Sequence, residues 1–533
     1  MSHMNTQKTF SMTRLLPVVV AVVALLLTAT ANAAVPGVQV QAGAISLTAS
    51  PALITQPDGS MVYSWGYACV SGGAPAPFGP ASACAGSMQV PGPTLIVTEG
   101  DQFSVTLTNN LPPAAGNTSI LFPGLQLVST TSGTDGLLTR EAAHGQSVTY
   151  TLKANSPGTR SYYSGTQCDL QVEMGLYGAV VVLPNATGNN FTCPPHNDAA
   201  GVSQAGTALV AGGETEYRLS TTGAAFHVAG SCYDREYLFQ FSEIDPKIHR
   251  QAEEQSAALA TCTPGAPGCS LNIATEPYHP AYFMINGRSM PDDMDPSYAP
   301  QYPHQPYNGN PHMHPGELVL LRIVGTGRWQ HPFHEHGNHV RILARDGNLI
   351  SAATDPTKIA GPLLFTTTTT PGLAMDGIFY WTGKGLNWDV FGHNAANNPS
   401  CTADTNGYNT GNPTALNYYE WCGDHMRALE SAPSGDVGAG GPVTLPDPNI
   451  LADGAWYGGS PYLGPNATSR ANSQAVTIPP SGTIANDPTS EAGFAFMWHS
   501  HNEREITTNN IFPGGMMMMM LVDSREFVID ETK

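Results

Sequence analysis

Apolar and polar positions alternate with a period of two wherever the chain looks regular. Phe103, Val105 and Leu107 are spaced by Ser104 and Thr106, between a Glu99-Gly100-Asp101 turn and the Asn109-Asn110-Leu111-Pro112 stop. Such alternation between Gly, Asn and Pro signals predicts half-buried antiparallel strands. The arrangement recurs later: Tyr282 to Gly287 leads through a long loop to the Pro315-Gly316-Glu317 turn and an apolar strand from Leu318 to Val324. A short motif follows each copy, Ser119 to Gly124 in the first half and His331 to Gly337 in the second. Each half then closes in parallel fashion. Tyr162-Tyr163-Ser164-Gly165 precedes the strand through Val181, and Trp498-His499-Ser500-His501 precedes Met516 and the strand through Val522.

This doubled pattern predicts an all-β protein of two sandwich domains, roughly 34–190 and 200–533. The second is enlarged by insertions at about 245–275 and 385–490. One stretch with helical composition, Lys247 to Ala260, falls in the first insertion; the second is rich in Asn, Gly and Pro and reads as long surface loops.

Composition narrows the function. The chain of 533 residues carries 41 acidic against 21 basic side chains, a formal charge of −20. Nucleic acid and anionic membranes are thereby disfavoured, since both call for clustered Lys and Arg. An apolar fraction of 41% excludes global disorder. At the N-terminus, Lys8 and Arg14 precede the apolar run Leu15 to Leu27, and Ala31-Asn32-Ala33 supplies a small-residue cleavage pattern. Residues 1–33 therefore read as a signal peptide behind a short Ser2-His3-Met4 cloning scar. No later run competes as a membrane span, so a secreted or periplasmic protein is expected. In that oxidising setting the nine cysteines can form disulfides. Proximity favours Cys69 with Cys84, Cys262 with Cys269 and Cys401 with Cys422, and an odd count leaves at least one thiol over.

The histidines carry the chemistry. Seven of the seventeen lie between His304 and His339, and two more stand at 499 and 501. Residues two apart in a strand share a face, so His334 with His336, and His499 with His501, each point one way. Two such strands side by side bring four imidazoles to one spot, a donor set suited to copper or zinc. His312 and His314 form another such pair, for which a peripheral site with His339 is one reading and loop histidines the other. The run Met516 to Met520 offers soft thioethers, but alternate residues share a face and core packing is the better expectation.

HPFHEHGNH, the later WHSHNE, PGPTLIVTEGDQFSVTLTNNLP, and SPGTRSYYSGTQ followed by MGLYGAVVV together resemble the cupredoxin domains of multicopper oxidases. The resemblance implies tandem Greek-key β-sandwiches with long loop insertions, copper cofactors, and oxidation of a small-molecule or metal-ion reductant coupled to O₂ reduction. Related two-domain members form trimers, so a homotrimer is allowed. Family members hold a trinuclear copper cluster with four HxH pairs and a blue copper with a cysteine. This chain departs from that set. The first-domain pairs read Leu121 and Pro123, and Tyr163 and Gly165, and the cysteine position is Ser500. The mononuclear-site histidine maps onto His331, and Glu505 stands where the family has a second one. A reduced, histidine-only metal set is expected: His334, His336, His499 and His501, with His331 as a further metal candidate, one or two copper ions and no blue type 1 copper. Three functions stay open: a copper-dependent oxidoreductase, a copper-binding or buffering protein without turnover, and a metal-free scaffold for protein contacts.

Overall fold

A computed structural model describes residues 35–75, 80–185, 193, 223–383 and 493–523, with 527, 529 and short pieces between 402 and 485. The signal segment and most of the 385–490 insertion lie outside the described residues. Residues 33–533 pack as one compact unit.

Four larger sheets build the described fold, two from strands before residue 190 and two from strands after it. One early sheet has the order Gly158–Tyr163, Tyr177–Leu183, Leu95–Thr98, Val38–Val40, Gly73–Pro75; its companion runs Met61–Ser71, Ala44–Thr55, Gln102–Asn109, Ser147–Lys153, Gln126–Ser132. The expected alternation is plain in Gln102–Asn109, where Phe103, Val105 and Leu107 are buried. Its outward hydroxyls pair across the ladder, Thr106 Oγ1 to Thr149 Oγ1 at 2.9 Å and Thr108 Oγ1 to Ser147 Oγ at 2.9 Å. Inward-facing residues of both sheets meet in one apolar cluster, with Leu95, Val105, Tyr150, Tyr162 and Val180 among its members. This is the two-layer sandwich that alternating strands dictate.

The later pair repeats the scheme. Tyr282–Ile285, Arg235–Ile244, Leu318–Gly325, Ala374–Tyr380 and Val340–Arg345 lie in one sheet; His312–Met313, Met517–Asp523, Gly493–Ser500, His331–Glu335 and Thr366–Thr369 lie in the other. Phe239, Phe333, Trp498, Met516, Met518 and Met520 fill the space between them. The methionine run therefore packs the core by strand parity, as its period predicts.

The sandwiches adhere through their outer faces. Ile96, Ala179 and Val181 of the first meet Leu238, Val324 and Ala374 of the second in a shared apolar cluster. A buried polar staple runs beside it: Asp376 accepts from the Thr159 backbone N–H (3.0 Å) and hydroxyl (2.6 Å), while Arg322 reaches Asp376 (3.1 Å) and Glu236 (2.7 Å).

The expected helix forms over Pro246–Ala258, capped by Asp245, whose side chain accepts from Lys247 N–H. A second helix, Cys168–Gln171, is too short to leave a periodic trace in the sequence. Disulfides join Cys69 to Cys84 and Cys262 to Cys269 as proximity suggested, and Cys193 to Cys232 across 39 residues, which proximity could not suggest. Cys422 is also disulfide-bonded, residue 401 lies outside the described residues, and Cys168 is the free thiol. No helix among the described residues is long and apolar enough to cross a membrane.

Candidate metal site

Strands His331–Glu335 and Gly493–Ser500 pair antiparallel with His334 opposite His499, Phe333 opposite Ser500 and Glu335 opposite Trp498. This register sets both faces at once. Phe333, Glu335 and Trp498 turn inward, and His334 and His499 turn the other way. His336 follows directly after its strand and stays beside them, its carbonyl accepting from Trp498 Nε1 at 2.9 Å.

Three of the four expected ligands converge. Donor atoms of His334, His336 and His499 all lie within 4.8 Å of one another, the one such group of histidine, cysteine or carboxylate side chains among the described residues. His336 Nε2 stands 3.3 Å from His499 Nε2. His501 is adjacent, its ring centroid 5.1 Å from His334 and 5.5 Å from His499, but outside the group of three. Its strand has already ended, its side chain is 50% exposed, and Nδ1 lies 3.5 Å from Glu503.

Hydrogen bonds orient the rings. His499 Nδ1 donates to the Ser500 carbonyl at 2.7 Å; a carbonyl only accepts, so the proton sits on Nδ1 and the lone pair on Nε2. His334 Nδ1 meets Thr366 Oγ1 at 2.8 Å. Burial, and then the imidazoles of His336, His499 and His501, press His334 down to about 4. Burial lowers His499 as well. These rings are neutral at neutral pH, the state in which imidazole binds metal. Between them on the inner face, burial pushes Glu335 up to about 8 against the Thr367 hydroxyl that it accepts from.

His331 lies apart from this group. Fully buried, it stands between two carboxylates: Nε2 is 3.0 Å from Glu243 Oε2, and Nδ1 is 2.9 Å from Glu505 Oε2, the latter at ion-pair distance but off the N–H direction. Burial alone lowers its pKa, yet Glu243 and Glu505 outweigh it and hold the ring at about 9. Ser500 donates to Glu505 in turn. Strand parity foresaw that His331 and Ser500 share a face. It could not foresee Glu243, which arrives from the Arg235–Ile244 strand of the opposite sheet. Thr366 was equally invisible, because nothing in a run of threonines announces which hydroxyl meets a ligand.

The other histidine pair anchors the C-terminal strand. His312 Nδ1 is 2.7 Å from Asp523 Oδ2, His314 Nδ1 is 3.1 Å from the Asp523 carbonyl, and His339 stacks edge-on with Phe365 (5.4 Å) instead of joining them. In the first sandwich, Leu121 bridges Tyr163 where His334 pairs with His499 in the second. A hollow of about 230 Å³ lined by Leu121, Pro123, Leu127 and Leu138 stands beside that bridge. Tyr163 and the free Cys168 line a separate cleft of about 250 Å³ against Gly325 to Gly327 and Gly372.

The structure is a pair of all-β sandwiches with a histidine cluster on one strand pair. Residues 79–187 match the family model described as multicopper oxidase. The chain is 38% identical over 98 residues to laccase abr2 of Aspergillus fumigatus, covering 18% of this chain and 16% of that one. It is 40% identical over 98 residues to laccase 1 of Metarhizium acridum, covering 18% and 15%. Over this stretch the chain is similar to multicopper oxidases, and it spans only 16% and 15% of the length of these two relatives. Among solved structures, the blue copper oxidase of Nitrosomonas europaea superposes with a TM-score of 0.43 at 15% identity, over 90% of this chain and 85% of that one.

Proposed function

We propose that the protein is an exported copper-dependent oxidoreductase whose metal is held by histidines alone. The observation that carries this reading is the convergence of His334, His336 and His499 within 4.8 Å of one another, on an edge where half-exposed His501 can complete the set. Three buried imidazoles suit copper in number and type, and the likeness to multicopper oxidases favours copper over zinc. The donor set does not suit blue copper, because Ser500 offers a hydroxyl where that chemistry needs a soft thiolate.

Bound there, copper supplies one-electron chemistry between a reductant and O₂. The chain's own residues prepare the place. Ser500 and Thr366 fix the rings of His499 and His334, Trp498 fixes the His336 backbone, and Phe333 with Trp498 keeps the inner face dry. With no thiolate metal to relay electrons, a small phenol or metal ion must reach the histidines directly, and the exposed His501 side is the open approach. A homotrimer belongs to the same proposal: Leu137 (93% exposed) and Leu138 (58%) leave the first sandwich with an uncovered apolar face beside Leu121.

Copper-reconstituted protein should contain at least one copper per chain, and His334→Ala and His499→Ala should each lose it. Unchanged stoichiometry in both variants would remove the site. Steady-state oxygen uptake with small phenols then separates an oxidoreductase from a copper-binding protein without turnover, and copper-free wild type would leave only the scaffold.

A further inference from the structure

The pocket behind the histidine strands contains a second, fully buried constellation, and it has a counterpart in the first sandwich. Three residues before His334 stands His331, and one after His499 stands Ser500; both converge on Glu505. Three residues before Leu121 stands Thr118, and one after Tyr163 stands Ser164; both donate to Gln171 Oε1, at 2.8 and 2.6 Å. Gln171 Nε2 in turn donates to the Asn117 carbonyl at 2.8 Å. The layout is the same, built once from two hydroxyls and an amide and once from a hydroxyl, an imidazole and a carboxylate.

In the second sandwich both carboxylates already have partners. Glu505 accepts from Ser500 and from Asn502 Nδ2 (2.9 Å) and faces His331 Nδ1. Glu243 accepts from the Arg328 N–H (2.7 Å) and the Trp329 N–H (2.9 Å) and faces His331 Nε2, with the Tyr278 hydroxyl oxygen 3.2 Å away. A carboxylate offers about four lone-pair directions, so little remains for a cation. The two carboxylates also flank opposite edges of one ring and do not converge. Tyr278 carries the chain onward, donating to Glu173 Oε2 of the first sandwich at 2.7 Å.

From this geometry we infer that Glu243, His331, Glu505 and Ser500 form a closed ionic clasp that takes no metal. It ties both sheets of the second sandwich together, and through Tyr278 and Glu173 ties them to the first, in the very pocket where the resemblance would place a mononuclear metal. The clasp adds to the backbone ladder that holds the histidine strands in register, so the outer site is built before any metal arrives.

The test uses full-length His334→Ala/His499→Ala protein, in which the outer site is gone, with Zn²⁺ as the probe. Nitrogen-15 spectra of the His331 ring, assigned by comparison with the His331→Gln variant, should show two exchange-protected N–H protons, unchanged by excess Zn²⁺, with no zinc retained after dialysis. One N–H proton, or a His331 shift accompanied by one retained zinc that Glu505→Gln abolishes, overturns the clasp. Because His334 and His499 are absent, neither result depends on whether copper binds at the outer site of the native protein.

Discussion

In the first sandwich Leu121 pairs with Tyr163, and in the second His334 pairs with His499, at matching places in the same local construction. Behind each pair lies a buried polar triad, Thr118–Gln171–Ser164 in one and His331–Glu505–Ser500 in the other. The triads keep one form and differ in charge; the outward pairs differ in kind. A neutral plug and an ionic one both suffice to hold two strands together. What makes the second sandwich a candidate reaction site is therefore confined to the outward face, where apolar and aromatic side chains give way to imidazoles.

The sharpest way to break this comparison is to remove the first member of each triad. His331→Leu strands Glu243 and Glu505 as buried carboxylates without their shared cation, and such a loss costs about 3–5 kcal/mol. Thr118→Val removes one donor from Gln171 while Ser164 still serves the same oxygen, at a cost of about 1 kcal/mol. Urea unfolding of the metal-free proteins reads both. Equal losses would mean that the clasp is no more ionic than its neutral counterpart.

The charge difference should also appear in pH dependence. His331, held at about 9, keeps a proton that an unfolded histidine releases near 6.5. Its contribution, roughly 3 kcal/mol, is fully present below pH 6.5 and is lost as the pH rises toward 9. Burial raises Glu173 and Glu335 to about 8, so the native state also binds their protons more tightly than the unfolded chain, and stability falls between about 4.5 and 8 for the same reason. On the acid side the sign reverses. His334 and His249, pressed to about 4, are neutral when the unfolded chain has already taken up protons, so stability drops as the pH falls from 6.5 toward 4. In thermal melts, the gap between wild type and His331→Gln should narrow from pH 6.5 to 9. The gap for Thr118→Val should stay constant, because its triad contains nothing that titrates.

The repeat was legible because it is written in local units. Period-two alternation marked the Gln102–Asn109 strand, and HxH spacing placed His334 and His499 on one face with Ser500 behind it. What stayed hidden comes from contacts between distant segments. Glu243 meets His331 only once the two sheets are stacked, and Cys193 finds Cys232 only after the chain has folded back. His501 shows the limit of parity itself: the face was foreseeable, but the strand ends at Ser500 and the ring swings half into solvent. His312 and His314 had ligand spacing, but the fold delivers them to Asp523 at the end of the C-terminal strand.

The finest distinction between the two outward pairs lies in how they are held. Leu121 needs only its backbone bridge to Tyr163, whereas an imidazole ligand must also present the correct nitrogen. Thr366 governs that choice for His334. When its hydroxyl accepts the Nδ1 proton at 2.8 Å, Nε2 carries the lone pair; when it donates instead, Nε2 carries the proton and binding must first displace it. Thr366→Val removes this control from a half-buried position on an edge strand, so folding stability should change by about 0.5 kcal/mol or less. Copper affinity should fall about 10- to 100-fold, the usual effect of losing an outer hydrogen bond to a ligand. Competition titration against a chelator of known affinity measures it, with Thr368→Val, one strand period away on the same face, as the control. Thr366→Ser keeps the hydroxyl and should restore affinity. If valine and serine bind copper equally, the ring is oriented by packing alone, and the difference between the two outward pairs reduces to the identity of their side chains.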